Sequence, residues 1–145
     1  MNFEPVLQKI AECTDVRLPA GNPWKGCITA TVADPKESPN TWACVHLQGE
    51  PRELVAGNAT MQAECRLYAQ IVPTEGPWSA AQMVDFADEL TAALQEAAWS
   101  MRLPDATSAD RWLVLGFHLT GGVTMSAEKA VGYTAEQTFL LTVQF

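Results

Sequence analysis

The strongest pattern in the chain is an alternation between Thr60 and Ile71. Met61, Ala63, Cys65, Leu67, Ala69 and Ile71 are interleaved with Thr60, Gln62, Glu64, Arg66, Tyr68 and Gln70. Period two over this length predicts one long strand with a buried face and a wet face. Pro73, Gly76 and Pro77 end it. A shorter strand is predicted over Trp42–Gln48, with Ala43, Val45 and Leu47 on one face. Two more follow downstream. Trp112–Thr120 places Leu113, Leu115, Phe117 and Leu119 on one parity, and Thr134–Phe145 does the same for Ala135, Phe139, Leu141, Val143 and Phe145. Cys27–Val32 is a short β-rich piece.

Two segments carry the helical period instead. Phe3, Val6, Leu7, Ile10 and Ala11 share one face of a helix over Phe3–Cys13, with Asn2 as N-cap and Pro5 tolerated in the first turn. The second helix begins at Ser79, where Gln82 completes a capping box and Trp78 is placed to staple onto Met83. Met83, Phe86, Ala87, Leu90, Leu94, Ala97 and Met101 form its apolar stripe, Asp85, Asp88, Glu89 and Glu96 its wet side, and Pro104 its stop. Leu18–Pro23 and Ala33–Asn40 read as loops. Thr120–Gly132 is too long for a tight hairpin, and is either a mobile loop or a two-stranded arm with its tip near Glu128-Lys129. With no regular βαβ alternation, the order predicts an α+β fold. It is a mainly antiparallel four- to five-stranded sheet with an N-terminal helix and one long helix between strands.

Length fits this reading: 145 residues make one domain, residues 1–145. Charge then narrows the partners. Nine basic against seventeen acidic residues give a net charge of −8, which argues against gripping nucleic acid or an anionic membrane surface. No apolar run approaches the roughly 20 residues of a membrane span, and the first residues show no leader pattern. A reducing, cytoplasmic setting follows as the expectation. Cys13, Cys27, Cys44 and Cys65 contain no C-x-x-C pair and read as free thiols.

Candidate chemistry is sparse. Cys44 and His46 share one strand face, and His118 from a neighbouring strand would make a third metal ligand. A Cys–His nucleophile pair is available by composition only, and no phosphate loop, nucleophile elbow or dinucleotide fingerprint is present. The expectation is no enzyme, no cofactor and no metal. The sheet face that should be wet is a stronger feature. By parity it carries Trp42, Cys44, His46, Tyr68, Trp112, Val114 and Leu140, a cluster that suits a partner or a covering segment.

Element order and alternation together resemble a known family. The residues concerned are the strand Trp42-Ala43-Cys44-Val45-His46-Leu47-Gln48-Gly49-Glu50 and the run Met61-Gln62-Ala63-Glu64-Cys65-Arg66-Leu67 leading to Pro73. The ending Tyr133-Thr134-Ala135-Glu136-Gln137-Thr138-Phe139-Leu140-Leu141-Thr142-Val143-Gln144-Phe145 completes them. The chain resembles the tail terminator proteins of long-tailed bacteriophages, the lambda minor tail protein U type, or a related head–tail connector or tail completion protein. It departs from them in a longer Pro-rich segment between Gly21 and Asn40.

The resemblance implies a structural virion protein that forms a hexameric ring of identical subunits on the tail tube. The ring stops tube polymerisation and joins the head connector or neck, and DNA passes through an acidic lumen without sequence-specific contact. It would be assembled in the host cytoplasm and reside in the virion. Val123, Thr124, Met125, Lys129 and Tyr133, with Trp42, Tyr68 and Trp112 on the sheet, are the implied ring or tube contacts. A monomeric binding module, or a small metal- or thiol-dependent enzyme of similar fold, is the alternative.

Overall fold

The alternating segment forms one strand with the boundaries its pattern predicts, Thr60–Ile71. It is β4 in chain order and the axis of the sheet. The computed structural model describes residues 2–30, 41–54, 56–57, 59–71, 79–101, 112–128 and 132–145. Its other elements are α1 (Glu4–Arg17), β1 (Ile28–Thr29), β2 (Thr41–Leu47), β3 (Arg52–Glu53), α2 (Ala80–Ser100), β5 (Leu113–Leu119), β6 (Thr124–Glu128) and β7 (Gly132–Gln144). The fold is α+β. The sheet has seven strands rather than four or five, and it is mixed, because β1 runs parallel to β2.

Two long hairpins build this sheet. Strands β2 and β3 pair in succession with one side of β4, as two pieces of one interrupted strand. Likewise β5 and β6 pair in succession with one side of β7. The hairpins join through β4 and β7, antiparallel from Thr60↔Gln144 to Ile71↔Tyr133. The segment after β5 is therefore a two-stranded extension of the sheet. Its tip, including Lys129, lies outside the described residues.

Both helices cover one face. Val6, Leu7, Ile10 and Ala11 of α1 and Met83, Ala87, Leu90 and Leu94 of α2 are buried with Ala63, Cys65, Leu67, Ala69 and Ile71 of β4 and Phe139, Leu141 and Val143 of β7. The capping box forms in full: the Ser79 side chain accepts from Gln82 N–H and the Gln82 side chain accepts from Ser79 N–H. Trp78, Pro73, Pro104 and the Ala33–Asn40 loop lie outside the described residues.

Helix α1 runs four residues past Cys13. Thr14, polar in the sequence, is fully buried and donates its hydroxyl to Ile10 O, so it continues the helix. The residue before α1 is Phe3, not Asn2, although Asn2 Oδ1 still accepts from Glu4 N–H. At the other end Lys25 Nζ donates to the carbonyls of Asp15, Val16 and Leu18, a cation placed on the negative pole of the helix.

One parity differs from the sequence pattern. The β5–β7 register shifts between Val114 and Gly116. This bulge turns Val114 inward, 1% exposed, and Leu115 outward, 45% exposed, while Phe117 remains in the core. Trp112 also packs against the core. Trp112 and Val114 therefore do not belong to the wet face. Val114→Ala is expected to cost about 2 kcal/mol and Leu115→Ala less than about 0.5 kcal/mol. Urea denaturation of the two variants checks this order, and uninterrupted alternation would reverse it.

Candidate functional site

The face of the sheet opposite the helices is the candidate site. Its side chains come from the second parity of β2, β4 and β7, and register sets them in rows. Trp42 lies beside Gln70 and Thr134, Cys44 beside Tyr68 and Glu136, and His46 beside Arg66 and Thr138. Most of these are half-buried.

Arg66 is the centre of this arrangement. Its Nε–H donates to His46 Nε2 at 3.0 Å. Its Nη1 lies 3.6 Å from Glu136 Oε2. Its guanidinium carbon stands 5.1 Å from the centroid of the Tyr68 ring, a cation–π distance. On the other side of Tyr68 the Trp42 ring lies 5.4 Å away, tilted by 40°. The result is a continuous ladder from Trp42 through Tyr68 and Arg66 to His46 and Glu136. Trp, Tyr and Arg are the side chains most often found at the centres of protein interfaces. Here they are already held in place before any partner arrives.

Cys44 lies below this ladder, fully buried. Burial pushes its thiol up to about 11, with Arg66 opposing part of the rise. Cys65 faces the core, and burial pushes it up to about 12. Cys13, Cys44 and Cys65 are free thiols. Cys44 and His46 do share a face, but β4 and β7 separate them from His118 on β5. Three strand spacings are roughly 14 Å, too far for one ion to join the two histidines. Among the described residues no group of three His, Cys, Asp or Glu side chains is placed to hold a metal.

The implied contact residues divide into separate groups. Trp42 and Tyr68 stand on the ladder. Val123, Met125, Tyr133 and Trp112 are partly buried against the core, and Thr124 is exposed on β6. Val123 and Thr124 adjoin the crank between β5 and β6, where Gly121 has φ +129°. Gln137, 2% exposed, donates Nε2–H to Gly121 O and Thr138 O, pinning this crank to β7. Beyond it, the hydroxyls of Ser126 and Thr134 pair across β6 and β7. Among the described residues the outer edges of β5 and β6 have no strand partner. The β5 edge carries the bulge, a common protection of free edges, while β6 pairs with β7 without a register shift and presents the uncharged run Thr124-Met125-Ser126-Ala127.

Arg66, Glu136 and Gln137 are the residues that the linear pattern does not single out. Each looks like an ordinary polar position of an alternating strand. Cross-strand register gives Arg66 and Glu136 their meaning, and an interruption in β5–β6 gives Gln137 its own. No protein-family model matches the chain, and no curated protein sequence matches it.

Proposed function

We propose that this chain is a ring-forming structural subunit of a long-tailed phage, a tail terminator or a closely related connector. In this reading it caps the tail tube, stops tube polymerisation and offers a joining surface to the head or neck. The observation that carries the reading is the placement of both helices on one side of a sheet made from two long hairpins. That leaves a preorganised aromatic–Arg face and the unbulged β6 edge for neighbouring subunits. A ring closes through two different patches on each subunit, and these are two such patches. The net charge of −8 suits a lumen through which DNA slides without being gripped. Virion localisation and contacts with tube and neck proteins follow from the same reading.

The competing reading is a monomeric binding module that uses the Trp42–Tyr68–Arg66 face alone. Native mass by light scattering across a concentration series separates the two, with the protein alone and after addition of purified tail tubes of a long-tailed phage that lack their terminator. The expected result is a closed ring of about six subunits in negative stain, free or on tube ends. A chain that remains monomeric under both conditions overturns the ring.

A further inference from the structure

We propose that His46 is a proton-operated switch that sets the position of Arg66, and with it the Tyr68–Trp42 part of the open sheet face. The two ring nitrogens of His46 meet partners of fixed polarity. Nδ1 lies 3.0 Å from the carbonyl oxygen of Leu47, which only accepts. Nε2 lies 3.0 Å from Arg66 Nε, which only donates. Nδ1 therefore carries the hydrogen and Nε2 is bare, a single neutral tautomer. The next proton has one place to go, Nε2. There it would face an N–H of a guanidinium that has no acceptor to offer. A contact between donor and acceptor becomes a contact between two donors on two cations, and Arg66 leaves it.

The neighbouring groups define where Arg66 goes. On β7, Glu136 already stands 3.6 Å from Nη1, one residue pair along the sheet and beside Tyr68. On β4, Glu64 is exposed two residues from Arg66 on the same face. On β2, Cys44 contributes a buried neutral thiol, and on β1 neither Ile28 nor Thr29 is charged. His118 on β5 lies beyond Leu140. Among the described residues Glu136 is the carboxylate already in reach of Arg66. Movement toward it changes the guanidinium's stand over the Tyr68 ring and so the surface that Tyr68 and Trp42 present. The inference rests on the hydrogen-bond polarity alone and stands whether or not the protein forms a ring.

Nitrogen-detected NMR of the full chain tests it, following the His46 ring nitrogens, the Arg66 Nε–H and the Tyr68 ring from about pH 8 to about pH 5. At the upper limit His46 is expected as the Nδ1–H tautomer. The Arg66 Nε–H and Tyr68 signals are expected to shift with the His46 midpoint. His46→Gln keeps an acceptor for Arg66 but does not titrate, so the coupled shifts are expected to vanish in it. They are expected to persist in His118→Gln. An Nε2–H tautomer at the upper limit, Arg66 and Tyr68 signals that ignore the His46 midpoint, or coupled shifts that survive in His46→Gln would each overturn the proposal.

Discussion

Trp24→Ala is expected to destabilise the fold by about 3–5 kcal/mol, the cost of removing a large aromatic side chain from a packed interior. Trp24 lies between α1 and β1 and is fully buried. Its indole Nε1–H donates to Gln70 O on β4, at 3.1 Å. Its backbone N–H donates to the side chain of Asn22, whose own amide donates to Phe86 O on α2. One tryptophan thus ties the loop after α1 to both the sheet and the second helix. The alanine variant empties the site and also leaves a carbonyl without its partner. Trp24→Phe retains most of the buried area and isolates the hydrogen bond, so its expected cost is about 1–3 kcal/mol. Domains of this kind hold only about 5–15 kcal/mol in total, so Trp24→Ala is best followed by urea denaturation at low temperature. A loss below about 1 kcal/mol would show that the loop does not clamp the two layers.

Nothing in the linear pattern marks Trp24. It stands just after Leu18-Pro19-Ala20-Gly21-Asn22-Pro23, a run whose composition says loop, and a loop it is. A loop residue becomes core here because Asn22 turns the chain back under the helices. That turn depends on a contact 64 residues away in sequence. The long regular elements were legible for the opposite reason. In β4 every second residue is apolar, in β7 the inward parity is apolar except at Gln137, and in α2 the stripe, cap and capping box agree, so local preference and burial point the same way. The parity of β5 was lost to a single inserted residue, because a bulge at Leu115 leaves no trace in a run rich in apolar residues. The candidate face was legible as a cluster of aromatic residues. Its organisation around Arg66 was not, since that depends on which residues of β2 and β7 lie opposite β4.

Between about pH 8 and about pH 10.5 the protein is expected to lose about 4 kcal/mol of stability through two thiols, Cys44 and Cys65. An ordinary thiol here titrates at 9.0, while burial holds Cys44 up at about 11 and Cys65 at about 12. Below the ordinary value both the folded and the unfolded chain keep these protons, and the thiols leave stability unchanged. Above it the unfolded chain releases them and the native chain does not. The unfolded state then binds fewer protons, and unfolding becomes easier with rising pH, by about 1.4 kcal/mol per unit for each thiol. The loss continues until the pH passes about 11 for Cys44 and about 12 for Cys65.

Urea denaturation at the two pH values, in the native sequence and in Cys44→Ala and Cys65→Ala, isolates this contribution. Other titrating groups are common to all three proteins and cancel in the comparison. Each substitution is expected to remove about 2 kcal/mol of the pH-dependent loss, whatever its own cost at the lower pH. An unchanged pH dependence in either variant would mean that its thiol ionises normally in the folded chain.

The same burial weighs on function. At neutral pH Cys44 remains a thiol, and the nucleophilic form is the thiolate. A neighbouring base is needed to remove the proton, yet His46 has both ring nitrogens engaged, one by Leu47 O and the other by Arg66. The histidine nearest to the thiol along the strand is thus committed to holding Arg66, which in turn stacks on Tyr68. Among the described residues, the Cys44–His46 pair on this face thus combines a thiol that burial keeps protonated with an imidazole whose Nε2 is taken up by Arg66.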